Sequence, residues 1–97
     1  MGPMRQSWNV PRGTRLVWKS YGDEFVVYNC ASGHTHYLNL LAAIALEHLQ
    51  ERPATIEELA ERIRGDIEVE GKIEGLAQLP DLVAQFDELG LIAPLAP

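Results

Sequence analysis

The strongest constraint on the fold is a change in the hydrophobic period at Asn39. From Thr14 to Asn39, β-branched and aromatic residues dominate, as they do in β-strands. From Leu40 onwards, apolar residues recur at spacings of three and four, which is the pattern of amphipathic helices. The 97 residues are enough for one domain with a single core. The sequence therefore predicts an α+β fold in which the sheet comes first.

Two turn signals divide the β-rich part into three strands. Gly22-Asp23 and Ala31-Ser32-Gly33 supply residues that accept a positive φ or bond to their own backbone. Because consecutive strands joined by tight turns pair antiparallel, a three-stranded antiparallel β-meander is expected. The predicted strands are Leu16–Tyr21, Glu24–Cys30 and His34–Leu38.

Three helices are predicted after the meander, which gives the chain the general plan of a winged helix-turn-helix protein. Asn39 is a good N-cap for the first helix, and Pro53 ends that helix. Thr55 and Glu58 have the spacing of a capping box at the start of the second helix. Gly65 is the expected C-terminal cap of the second helix.

The third helix follows Asp66 to Gly75, a segment predicted to be a loop or a frayed helical turn. Pro80 lies within the helical pattern, so the helix either begins there or is kinked there. The helix is predicted to end at Gly90. Its apolar positions, spaced three and four apart, are Leu76, Leu79, Leu82, Val83, Phe86 and Leu89.

Composition limits the classes of function. The net charge of −6 repels phosphate backbones and argues against general nucleic-acid binding. No apolar run approaches the roughly 20 residues that span a bilayer, and Met1–Arg5 lacks the apolar core of a secretory signal. Because Cys30 is the single cysteine, the chain has no internal disulfide and a cytoplasmic location is expected.

Metal binding and nucleophilic catalysis both lack enough residues. His34 and His36 share one face of a strand near Cys30, but two imidazoles and one thiol fall short of a closed zinc site. Cys30 is expected to be a small buried hydrophobe, and no third group that would orient a base can be named. The sequence therefore predicts no enzyme activity, no metal and no cofactor.

The same architecture is compatible with two binding functions. A DNA reader needs Arg or Lys near base edges and phosphates, but no basic residue occurs from Gln78 to Pro97. An exposed edge of a three-stranded sheet can instead accept an extended peptide as a further strand. A peptide-binding module is the preferred interpretation, and a winged-helix module for protein or DNA contacts is the alternative.

The segment from Ser32 to Asn39, which reads Ser-Gly-x-Thr-His-x-Leu-Asn, resembles the PqqD-like proteins. These are small peptide-binding domains, also called RiPP recognition elements. The subgroup found beside an HPr-kinase-related protein carries a segment like this one. The resemblance covers roughly Trp18 to Ile92. Pro80 departs from the family pattern, in which the last helix is longer and unbroken.

The resemblance implies a bacterial adaptor that captures the leader peptide of a precursor and delivers it to a modifying enzyme. The implied partners are the precursor peptide and a modifying enzyme or HPr-kinase-related protein of the same gene cluster. Neither nucleic acid nor membrane is an implied partner, and the exposed strand edge also allows a homodimer. Residues 1–13 are expected to be loosely ordered, and residues 14–97 to form the peptide-binding domain.

Carried onto this chain, the peptide site combines the third strand with the last helix. Only one flank of the helix can line a groove, because the rest of its apolar stripe is needed for the core. Since main-chain pairing tolerates many side chains, alanine substitutions along the outward face of the strand are expected to matter little. The implied site residues are Thr35, His36, Tyr37, Leu38, Leu79, Leu82, Val83 and Phe86.

Overall fold

The computed structural model describes residues 6–22, 24–66 and 78–95. A three-stranded antiparallel sheet is followed by three helices, which confirms the predicted α+β fold and is consistent with a winged helix-turn-helix shape. In chain order, the elements are β1 (Trp8–Asn9), β2 (Leu16–Tyr21), β3 (Glu24–Asn29), β4 (His34–Leu38), α1 (Leu40–Glu51), α2 (Ile56–Asp66), α3 (Leu79–Glu88) and β5 (Ala93–Pro94).

The three-stranded sheet has the order β2-β3-β4, so that β2 and β4 are its two edges. Val27 in the central strand lies opposite Trp18 of β2 and His36 of β4, and both pairings are antiparallel. The predicted meander is therefore confirmed. The central strand ends at Asn29, one residue earlier than predicted.

Side chains alternate between an inner face of the sheet, which packs on the helices, and an outer face. Leu16, Val27 and Leu38 on the inner face belong to the buried core. Cys30 was expected to be buried, but it is exposed. It directly follows Asn29, which is buried, and the alternation of a strand turns the next side chain outwards.

The first two helices begin at the predicted caps. Asn39 Oδ1 accepts the N–H of Ala42 at 2.8 Å. The Thr55 N–H donates to Glu58 Oε1 at 2.9 Å, and the Glu58 N–H donates to Thr55 Oγ1 at 3.1 Å, which completes the capping box. Gly65 does not follow α2 as a cap, because the helix continues to Asp66.

The third helix begins at Leu79 and has Pro80 in its first turn, where the missing N–H costs no helix hydrogen bond. This settles the choice between a start and a kink. Gly90 has a φ of 78°. The Gly90 N–H donates to the Asp87 carbonyl at 3.1 Å and the Leu91 N–H to the Phe86 carbonyl at 3.0 Å, as in a Schellman motif. Leu91 is thereby turned into the core.

The loop predicted before α3 lies outside the described residues beyond Asp66. Residues 1–13 are expected to be loosely ordered; of these, residues 1–5 lie outside the described residues, and within the remainder β1 pairs antiparallel with β5. The Trp8 N–H donates to the Ala54 carbonyl at 2.8 Å, and the Ala54 N–H donates to the Trp8 carbonyl at 3.1 Å. None of the helices that the structure describes is long and apolar enough to cross a membrane.

Candidate functional site

The turn that leads into β4 is held by local hydrogen bonds. Asn29 Oδ1 accepts the N–H of Ala31 at 2.9 Å, and Ser32 Oγ accepts the N–H of His34 at 3.2 Å. The Gly33 N–H donates to the Asn29 carbonyl at 2.8 Å, and Gly33 has a φ of 80°, which a residue with a Cβ adopts only with strain. These contacts set where β4 begins and therefore its register against β3.

The main-chain groups of the central strand are shared between its two neighbours. The Cys30 N–H donates to the Arg15 carbonyl at 2.9 Å, which identifies a hydrogen-bonded pair next to the β2–β3 ladder. Hydrogen-bonded pairs recur at every second residue of an antiparallel ladder. In the observed register, the even-numbered residues of β3 therefore bond to β2, and its odd-numbered residues bond to β4. On β2, the main-chain groups of Ser20 consequently face the open edge.

The same alternation assigns the main-chain groups of β4. The residues opposite the odd-numbered residues of β3 are His34, His36 and Leu38, and these bond inwards to the sheet. The N–H and C=O groups of Thr35 and Tyr37 consequently point to the open edge. Among the described residues, Thr35 and Tyr37 of β4 thus have no main-chain partner at this edge, and they offer donors and acceptors to a further strand.

The two edges of the sheet differ in their side chains. Charged residues and proline are the usual means of blocking pairing at an exposed strand edge. Lys19 lies in β2, whereas β4 contains no charged residue and no proline. The β4 edge is therefore the better acceptor for another strand.

A groove of about 200 Å³ lies between the end of β4, the start of α1 and one flank of α3. Leu41 and Leu82 supply half-buried apolar surface to it. The polar residues at its rim are exposed, and Asp81 adds a negative charge. The complete lining is Asn39, Leu41, Gln78, Asp81, Leu82 and Gln85.

The structure divides the helix residues implied by the resemblance. Leu79, Val83 and Phe86 are each 1% exposed and belong to the core. Leu82 is half-buried and lines the groove. The four helix residues therefore do not share one surface, and Leu82 alone among them reaches the groove.

The groove residues that the sequence reasoning missed follow the spacing of a helix. Gln78 and Gln85 lie four residues before and three residues after Leu82, so the three form a row along one flank of α3. That row is displaced by one residue, or about 100°, from the buried row of Leu79, Val83 and Phe86. The signal in the sequence was a leucine between two glutamines at helical spacing, directly beside the apolar stripe.

The strand residues of the implied site alternate as predicted between two environments. Thr35 and Tyr37 are exposed on the outer face, Leu38 is buried in the core and His36 is half-buried. The rings of His34 and His36 are 6.3 Å apart between centroids and nearly perpendicular. Nε2 of His36 is buried and has no hydrogen-bond partner among the described residues. Burial, followed by the nearby charge of His34, lowers the pKa of His36 below its ordinary value.

The structure does not bring Cys30 to the two histidines. Cys30 lies with Thr35 and Tyr37 on the outer face, whereas His36 alternates with them and turns inwards. Within residues 6–22, 24–66 and 78–95, no three His, Cys, Asp or Glu side chains are grouped so that they could hold a metal ion. The combination of His34, His36 and Cys30 considered from the sequence therefore has no geometric basis.

No family model matches the chain, and no curated protein sequence matches it. A solved structure to which the chain is similar is that of TbiB1 in complex with the TbiA(beta) leader peptide. The TM-score is 0.62, and the match covers 92% of this chain and 99% of that chain at 18% sequence identity. At this identity the likeness shows a shared fold.

Proposed function

We propose that this chain is a non-enzymatic peptide-binding adaptor of the RiPP-recognition type. It captures the leader of a precursor peptide as a fourth strand beside β4 and presents that precursor to a modifying enzyme. The observation that carries the proposal is the open edge of β4, where the main-chain groups of Thr35 and Tyr37 have no partner in the described part of the chain and lie near a groove. The likeness in fold to TbiB1, which is in complex with a leader peptide, supports it.

The edge and the groove have complementary parts in this binding mode. Main-chain hydrogen bonds to Thr35 and Tyr37 supply affinity that depends little on the peptide sequence. Side chains of the peptide that point to the inner side reach the groove, where an aliphatic side chain contacts Leu41 and Leu82. Asp81 at the rim favours a neutral or basic neighbour in the peptide over an acidic one.

The winged-helix DNA-binding alternative receives no support from the exposed side of α3. The charged side chains exposed there are Asp81, Asp87 and Glu88, which are all acidic. Affinity for nucleic acid depends on neutralising phosphates with Lys or Arg. Binding of an uncharged or basic peptide is the better match to this surface.

The proposal includes the setting implied by the sequence resemblance. The modifying enzyme or an HPr-kinase-related protein is the receiving partner, in the cytoplasm of a bacterium. The β4 edge is also open to a second copy of the chain, so peptide binding and self-association compete for the same main-chain groups.

The proposal is tested with a displayed library of random 15-residue peptides selected on the purified protein. The tightest selected peptide is then measured against Tyr37→Pro, which removes an edge-facing N–H, and against Tyr37→Ala, which keeps it. Ser20→Pro is the matched control, because it removes an edge-facing N–H from β2. Tyr37→Pro is expected to lower affinity at least about tenfold relative to Tyr37→Ala, equivalent to 1.4 kcal/mol, while Ser20→Pro leaves it within about twofold of the wild type.

Amide hydrogen exchange locates the bound peptide independently of the substitutions. Protection is expected to rise from His34 to Asn39 and from Leu82 to Leu89 when the peptide is added. A rise in protection confined to β2 or α2 would place the peptide elsewhere and refute strand addition at β4. An equal loss of peptide affinity in Tyr37→Pro and Ser20→Pro would refute it as well. Thermal melting of each variant shows whether it is folded at the temperature of the assay.

A further inference from the structure

We infer that the outer face of the sheet is a second part of the peptide site, which selects apolar or aromatic side chains at alternate positions of the peptide. The inference rests on the proposed strand addition at β4. It concerns a surface on the opposite side of the sheet from the groove that α3 lines.

The outer face is a shallow concavity of about 590 Å³ with aromatic and β-branched walls. Two rows of side chains cross it in register. The first row is Val17, Tyr28 and Thr35, and the second is Lys19, Val26 and Tyr37. Each row ends on β4, at one of the two residues whose main-chain groups face the open edge.

Strand geometry determines where the side chains of an added peptide lie. Residues directly opposite each other in a sheet place their side chains on the same face, with Cβ atoms about 4.5–5.5 Å apart. The peptide residues opposite Thr35 and Tyr37 therefore extend the two rows on the outer face. Residues opposite His36 and Leu38 turn to the inner side, because successive side chains alternate. This assignment is the same for a parallel and an antiparallel peptide.

The exposure of the second row indicates the chemistry of the residue that extends it. Tyr37 is 74% exposed, so its ring loses contact with water when a neighbouring side chain packs on it. Aromatic and β-branched side chains form the favourable cross-strand pairs with such a ring. Lys19 is at the far end of this row, about 14 Å from an added strand at ~4.8 Å per strand spacing, so its charge does not select the peptide residue.

The inference departs from the expectation that outward-facing side chains of β4 matter little. Main-chain hydrogen bonds do not depend on these side chains. An exposed aromatic ring directly beside the added strand, however, packs against the side chain of the peptide residue opposite it. A bound peptide then contacts the protein on both faces with a period of two, through the groove on one side and through Thr35 and Tyr37 on the other.

The test uses the tightest peptide selected from the random library and two matched substitutions in the protein. Tyr37→Thr removes the ring and keeps a β-branched residue in the strand. Tyr21→Thr makes the same change on the same face in β2, where Tyr21 is 61% exposed. Tyr37→Thr is expected to lower affinity about fivefold to tenfold, and Tyr21→Thr to leave it within about twofold.

Alanine substitution in the peptide provides the second readout. Two peptide residues spaced two apart are expected to lose affinity for the wild-type protein, and one of them is expected to lose none on the Tyr37→Thr background. That coupling identifies the peptide residue that packs on the Tyr37 ring. A structural effect of Tyr37→Thr on the strand would lower affinity for every peptide variant equally.

The outcomes separate the inference from the function on which it rests. If Tyr37→Pro lowers affinity and Tyr37→Thr does not, strand addition stands and the outer-face inference is overturned. If neither substitution lowers affinity, or no library peptide is selected, the proposed function fails and the inference fails with it. If Tyr37→Thr changes the sedimentation of the free protein but not peptide affinity, the face is an interface between two copies, which also overturns the inference.

Discussion

The two flanks of α3 repeat at the same helical spacing but differ in their residues and their surroundings. On one flank, Leu79, Val83 and Phe86 are enclosed by the core. On the other, Leu82 lies between Gln78 and Gln85 and lines a groove beside the edge strand. A rotation of about 100° around the helix axis separates a residue that holds the fold together from one that is free to contact a ligand.

The largest effect is expected from the buried flank. Phe86→Ala removes a 1%-exposed ring from the core and is expected to lower the free energy of unfolding by about 3–5 kcal/mol. Urea denaturation followed by circular dichroism measures this loss. The affinity of the remaining folded molecules for a selected peptide is expected to be unchanged, and a large loss of affinity without a loss of stability would place Phe86 in the site.

The groove flank is expected to show the opposite combination. Leu82→Ala is expected to lower peptide affinity about tenfold, equivalent to 1.4 kcal/mol, because an aliphatic contact is lost on binding. Its effect on the free energy of unfolding is expected to be below about 2 kcal/mol, the lower limit for a fully buried leucine. Titration calorimetry and denaturation on the same variant give both numbers.

Leu89→Ala is the control for Leu82→Ala. Leu89 caps the same helix, is 41% exposed and does not line the groove. Its truncation is expected to leave peptide affinity within about twofold, since surface substitutions away from a site are close to neutral. If Leu82→Ala and Leu89→Ala lowered peptide affinity equally, Leu82 and its groove would not be distinct from the rest of the exposed helix surface.

The distinction between the flanks also shows what the sequence could predict. The caps at Asn39 and at Thr55 with Glu58 were predictable, because each depends on residues a few positions apart. The apolar spacing predicted a stripe on α3, but it did not show which residues of the stripe are buried and which line the groove. The extent of the buried stripe depends on contacts with residues far away in the chain, such as Leu41 at the start of α1, which is about 40 residues away and lines the groove together with Leu82.

The exposure of Cys30 and the pairing of Trp8 are two further features that were not predicted from the sequence. Cys30 is exposed because it lies on the outer face of the sheet, where the alternation of side chains turns it away from the buried Asn29. Trp8 pairs with Ala54 through two main-chain hydrogen bonds that no local pattern indicates. Non-local contacts are thus what the sequence alone left open, both in the N-terminal segment and at the groove.

A smaller effect is expected from the charge at the groove rim. Asp81→Asn is expected to weaken binding of selected peptides that carry Lys or Arg by about twofold to fivefold, which is the usual range for an exposed ion pair. The difference is expected to shrink at high salt, because exposed charges are screened. Asp87→Asn on the same helix, outside the groove, is the matched control and is expected to show neither effect.

The smallest effect concerns His36, which occupies on the strand the same boundary between core and edge that Leu82 occupies on α3. Burial and the charge of His34 lower the pKa of His36 in the folded protein below the ordinary 6.5. The unfolded chain therefore binds a proton at this residue more readily than the folded protein does. The contribution of His36 to the free energy of unfolding is fully present above pH 6.5, and it is lost as the pH falls below this value. Thermal melting from about pH 7 to pH 5 is expected to show this decline, and His36→Gln, which does not titrate, to flatten it.

His34→Gln removes the smaller of the two causes and is expected to retain part of the decline. If the decline is as steep in His36→Gln as in the wild type, another group is responsible, and His36 does not mark the boundary of the core.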